Sequence, residues 1–105
     1  MSHCVYAPIG RIDGSNAPSA ERELLELLAQ HGPSLVADLS GLSFVSSAGL
    51  RVLLVAAKAT RARGGRTVLA GPRPSVEEVL QMSGFNKIMP IAADVNAAQA
   101  LLGPG

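Results

Sequence analysis

Residues 35–54 read LVADLSGLSFVSSAGLRVLL. Residues 34–39 have the apolar character of a buried strand, Gly41 breaks that run, and Phe44 and Val45 lead through Ser46 and Ser47 into an amphipathic helix. Leu50, Leu53, Leu54 and Ala57 recur at i, i+3, i+4 and i+7, which predicts the buried stripe of a helix from Ser47 to about Arg63. Gly64 and Gly65 stop it in the way glycine ends helices. The strand-to-helix junction also places two hydroxyls where the first helical turn leaves N–H groups unpaired and the dipole is positive. Serine there caps the helix, and a phosphate added there is electrostatically favoured, so the position suits a structural, regulatory or anion-binding role.

Working outward, residues 5–12 mix β-branched side chains with Pro8 and Gly10, which predicts a short, irregular or edge strand. Asp13-Gly14-Ser15-Asn16 is turn chemistry, and Asn16 is placed to cap a helix that tolerates Pro18 in its first turn. Ala20, Leu24, Leu27 and Leu28 keep helical spacing until His31-Gly32-Pro33 ends the run. Residues 66–70 form the next strand. Ser75 and Glu78 have the spacing of a capping box for a third helix that ends at Met82, near Gly84. Residues 87–91 read as a last edge strand, Asp94 caps a terminal helix through Leu102, and residues 103–105 form a tail. This alternation predicts an α/β domain over residues 1–105, with a central mixed sheet of about four to five strands and about four helices. In such sheets functional groups gather where strand ends meet helix starts, which singles out Ser46 and Ser47, with Asp13 at the end of a neighbouring element.

The 105 residues are 48% hydrophobic and 16% charged, enough apolar material for a core and too little charge for a disordered chain. With no Trp, one Tyr, two Phe and a formal charge of +1, the chain offers neither stacking platforms nor a broad basic face for nucleic acid. A lone Cys4 makes no internal disulfide and favours a reducing, cytoplasmic setting. The start MSHCVYAPIG lacks a signal-peptide pattern, and no apolar run reaches the ~18 residues of a membrane span. His3 and His31 have no second ligand at metal spacing, so no metal or cofactor is expected. Lys58, Arg61, Arg63 and Arg66 read as helix-dipole compensation and solvated surface, and Met82 and Met89 as core fillers. No G-x-S-x-G elbow, phosphate-binding loop or base beside Ser47 supports an enzyme.

DLSGLSFVSSAGLRVLL, the later GGR before an apolar strand, and VEEVLQMSGFNKIMPI together resemble the STAS domain of bacterial anti-sigma factor antagonists. The likeness runs from GRIDGSNAP through the terminal helix, in the family's order and spacing. It implies a STAS-type fold and a non-enzymatic switch. Unphosphorylated, the protein captures a serine-kinase anti-sigma partner; phosphorylated, it lets go, and a metal-dependent serine phosphatase resets it. The family's Asp-Ser-Ser-Gly reads Ser46-Ser47-Ala48-Gly49 here, which carries the phosphoacceptor onto Ser47, with Ser46 as second choice. The resemblance also places Asp13, Ser46, Ser47, Ala48, Gly49 and Arg51 on the partner-facing surface. Ser46 replaces the family's acidic residue and Ala48 its second serine, so position 48 cannot be phosphorylated. A different outcome, a constitutive STAS subunit of a transporter assembly, would use the same helix face without a phosphorylation cycle.

Overall fold

In the computed structural model, which describes residues 4–103, chain order runs β1 (Cys4–Tyr6), β2 (Gly10–Ile12), α1 (Ala17–His31), β3 (Leu35–Asp38), β4 (Leu42–Val45), α2 (Ser47–Ala62), β5 (Thr67–Ala70), α3 (Pro74–Met82), a 3-10 turn (Phe85–Lys87), β6 (Ile91–Ala92) and α4 (Val95–Leu102). The α/β class and the four helices agree with the sequence. The strands, however, form a four-stranded sheet ordered β1-β3-β5-β6 and a two-stranded sheet β2-β4, and every pairing is parallel where a mixed sheet was expected.

The four-stranded sheet is buried on both faces. Cys4, Tyr6, Leu35, Ala37 and Leu69 point into a core shared with α1, α2 and α3. The alternating residues Val36, Val68 and Ala70 meet Ala98 of α4 in a second core. Period-two alternation between two apolar environments explains why β3 and β5 each carry three consecutive apolar residues. Where α2 meets β5, the buried Thr60 and Thr67 hydroxyls sit 2.9 Å apart and both bond the Ala56 carbonyl oxygen. Polar atoms inside this junction are thereby satisfied.

Several local expectations change. The predicted strand over residues 5–12 is two strands in different sheets, because the chain turns at Pro8 and Ile9 between β1 and β2. Phe44 and Val45 belong to a strand of their own, β4, which pairs with β2 from Gly10↔Leu42 to Ile12↔Val45. On α2 the buried stripe is Gly49, Val52, Leu53, Ala56, Ala57 and Thr60. Leu50 and Leu54 pack only on its rim. Small residues on the inner face let the helix lie close to its neighbours, which turns the bulkier leucines toward the edge. The third helix begins two residues earlier than a Ser75 cap requires: Arg73 is the N-cap, Pro74 occupies the first turn, and no side chain caps it. Proline with its fixed φ suits that first position. Residues 87–91 are not a strand; Pro90 has no N–H to donate, and only Ile91 and Ala92 pair, with β5. Met89 is buried as expected, but Met82 is 80% exposed at the end of α3. His3 and residues 104–105 of the expected tail lie outside the described residues.

Candidate functional site

The loop from β4 into α2 explains the serine pair. Ser46, in extended conformation, is the N-cap: its Oγ accepts from the Gly49 N–H at 3.3 Å, and its own N–H donates to the Ile12 carbonyl at 2.9 Å. The cap is therefore tied to the end of β2. Ser47 is the first helical residue and is exposed, and among the described residues none hydrogen-bonds its hydroxyl. One serine does structural work while its neighbour presents a free Oγ at the helix start.

Gly49 lies inside the fold, whereas the resemblance places it on the surface. It is buried, and a Cβ there would lie 2.5 Å from Val45 Cγ2 and 2.8 Å from the Ile12 carbonyl oxygen. Only glycine lets the first turn of α2 close on the ends of β2 and β4. Its close packing sets the position of Ser47.

Asp13 is committed to its own turn. Its carboxylate accepts from the Ser15 N–H at 2.9 Å and from the Ser15 hydroxyl, and pairs with Arg11 Nε at 3.1 Å. The Ser15 hydrogen bonds, with help from the Arg11 charge, hold its carboxyl below the usual carboxylate range. Asn16 stands at the N-cap of α1 without capping it; its side chain turns back, accepting from the Asp13 N–H and donating to the Arg11 carbonyl. Arg11 in turn lies over the Phe44 ring, 5.3 Å from its centroid, and Phe44 is 46% exposed. Such a cation–π contact orders both side chains on the open face of the small sheet.

Ser47, Ala48 and Arg51 line a groove of about 450 Å³ whose other wall is Gly14, Ala17, Pro18 and Glu21 of α1 and the turn before it. Of the residues expected at the site, these three share the groove, whereas Ser46 and Gly49 lie in its foundation and Asp13 braces the adjoining turn. Sequence reasoning missed Pro18 and Glu21, and also Arg11 with Phe44. The i, i+4 spacing of Ala17 and Glu21 is a usable helical-face signal, but nothing local says that this face meets α2.

Elsewhere, burial raises the Cys4 thiol above its ordinary value, which disfavours a reactive thiolate. Among the described residues no group of three or more His, Cys, Asp or Glu side chains is arranged to hold a metal. No described helix is long and apolar enough to cross a membrane.

Residues 1–98 match the model of the STAS domain family. The chain is 41% identical over 91 residues to BtrV of Bordetella bronchiseptica, a designated anti-sigma factor antagonist, covering 87% of this chain and 78% of BtrV. A Thermotoga maritima protein with the same designation superposes with a TM-score of 0.88 at 21% identity, over 95% of this chain and 86% of that one. The anti-sigma factor antagonist SpoIIAA in its unphosphorylated form gives a TM-score of 0.78 at 25% identity, covering 96% and 89%. SpoIIAA from Bacillus has also been solved in its phosphorylated form, with a TM-score of 0.69 at 24% identity, covering 92% and 88%.

Proposed function

The chain belongs to the STAS domain family, and we propose that it acts there as an anti-sigma factor antagonist whose binding is switched at Ser47. Unmodified, it captures a serine-kinase anti-sigma partner through Ser47, Ala48, Arg51 and the groove beside them. Phosphorylated at Ser47, it releases that partner, and a metal-dependent serine phosphatase restores it. It carries out no catalysis of its own.

The observation that carries this reading is the division of labour at the helix start. Ser46 is used up as the cap, and Ser47 projects an exposed hydroxyl beside the groove. A phosphate there adds about −1.5 to −2 charges at neutral pH. In the free protein, solvent and the positive end of α2 support that charge. In a docked interface the same charge loses water, and unless the partner supplies matched cations the contact becomes unfavourable. The difference between free and docked states is the switch. The likeness to SpoIIAA, which exists in phosphorylated and unphosphorylated forms, supports the same cycle.

Incubation with the cognate kinase and ATP, followed by intact-mass measurement and peptide mapping, tests the site. Wild type should carry one phosphate on Ser47, and Ser47→Ala should stay folded, bind the kinase and carry none. Ser46→Ala should still be labelled while losing ~1 kcal/mol of stability with its cap. Phosphate on Ser46 in wild type, or unchanged labelling of Ser47→Ala, would overturn the assignment.

A further inference from the structure

We propose that Arg51 is the intramolecular receptor for the phosphate on Ser47, so that modification also withdraws Arg51 from the docking face. The inference rests on Ser47 being the phosphoacceptor. Ser47 and Arg51 stand four residues apart on α2 and line the same groove. Residues at that spacing are neighbours on one helix face, about 6 Å apart at Cβ, and helical side chains lean toward the N-terminus. That spacing and lean put the Ser47 hydroxyl within reach of the exposed Arg51 side chain.

Arg51 is available for this. Among the described residues its side chain makes no ion pair or hydrogen bond, and the ion pair there joins Arg11 to Asp13. Glu21, from α1, is the other ionisable side chain on the groove wall, and it forms no ion pair with Arg51. Arg11 and Asp13 beside the groove are occupied with each other. A groove of about 450 Å³ has ample room for a phosphate between Ser47 and Arg51. A dianionic phosphate accepts bidentate hydrogen bonds from a guanidinium and outcompetes a single carboxylate across the groove. Phosphorylation then does two things to the docking face: it adds negative charge at Ser47 and removes a free cation at Arg51.

The test places phosphoserine at position 47 of the full chain by genetic encoding and follows its second ionisation by phosphorus NMR titration. Wild type, Arg51→Gln, Arg51→Lys and Glu21→Gln are compared after circular dichroism has verified the fold of each. A neighbouring cation favours the dianion, so Arg51→Gln should raise the titration midpoint by roughly 0.2–0.4 pH units. Arg51→Lys should restore most of the difference, and Glu21→Gln should lower the midpoint slightly. An Arg51→Gln midpoint within about 0.1 pH units of wild type, well under the expected shift, would overturn the proposal. Because the phosphoserine is installed, this titration reads Arg51 whichever serine the kinase selects, and failure of the kinase mapping would strike the functional reading alone.

Discussion

The two sheets share parallel pairing and differ in burial. All of β5 and Leu35, Val36 and Ala37 of β3 are buried between two apolar cores, whereas Gly10 and Arg11 of β2 and Ser43 and Phe44 of β4 face solvent. α2 joins them: Ala56, Ala57 and Thr60 belong to its buried face near β5, while its first turn is tied through Ser46 and Gly49 to the ends of β2 and β4. Stability is concentrated in the large sheet. The small sheet sends only Ile12, Leu42 and Val45 into the core, and its ends hold the start of α2, with Ser47, beside α1. Buried side chains of the large sheet should therefore change stability without changing affinity, and exposed side chains around the start of α2 should do the reverse.

The sharpest attempt to break this division is Leu69→Ala, since Leu69 lies fully buried in the central strand β5. It should cost ~2–5 kcal/mol through lost burial and a residual cavity, read as a lower midpoint in urea unfolding. At temperatures where the variant is still folded, affinity for the anti-sigma partner should match wild type. A large affinity loss in well-folded Leu69→Ala would show that the two regions are not separable.

Gly49→Ala tests the tie between them. Alanine improves helix propensity by up to ~1 kcal/mol, but its Cβ would meet the Ile12 carbonyl and Val45, and overpacking of that kind costs ~1–3 kcal/mol. Net destabilisation of about 1–2 kcal/mol is expected, together with weaker partner binding as the first turn of α2 shifts. A stabilised Gly49→Ala with full affinity would mean that the close approach does not position Ser47.

The smallest effect concerns the turn before α1. Because the Asp13 pKa is lowered in the folded protein, its carboxylate adds stability above the ordinary value of 3.8, and that contribution disappears as pH falls through the lower folded value. Wild type should therefore melt slightly higher than Asp13→Asn near neutral pH, and the gap should close in strong acid. A gap that widens on acidification would contradict the assigned hydrogen bonds to Ser15.

The same contrast explains what could be read from the sequence. Residues 34–39 and 66–70 announce themselves because burial on both faces demands consecutive apolar residues, here Leu35-Val36-Ala37 and Val68-Leu69-Ala70. The Asp94 cap was legible too, and its carboxylate accepts from the Ala97 N–H at 2.8 Å. β4 was not, since LSFV buries only its two end residues and keeps Ser43 and Phe44 outside, an i, i+3 spacing without the alternation of a strand. The serine pair was half legible: the junction and the helix start were plain, but which hydroxyl caps depends on where β2 ends in space. The wall opposite Ser47 was hidden altogether, because Pro18 and Glu21 reach the groove only through the packing of α1 on α2.

The most direct test of the central claim is calorimetric titration of the cognate anti-sigma kinase with unmodified protein and with protein carrying phosphoserine at position 47, both verified as folded. The unmodified protein should bind, and the phosphorylated protein should bind at least about tenfold more weakly, the ratio that ~1.4 kcal/mol of lost binding energy produces. Equal or tighter binding by the phosphorylated form would contradict release by phosphorylation.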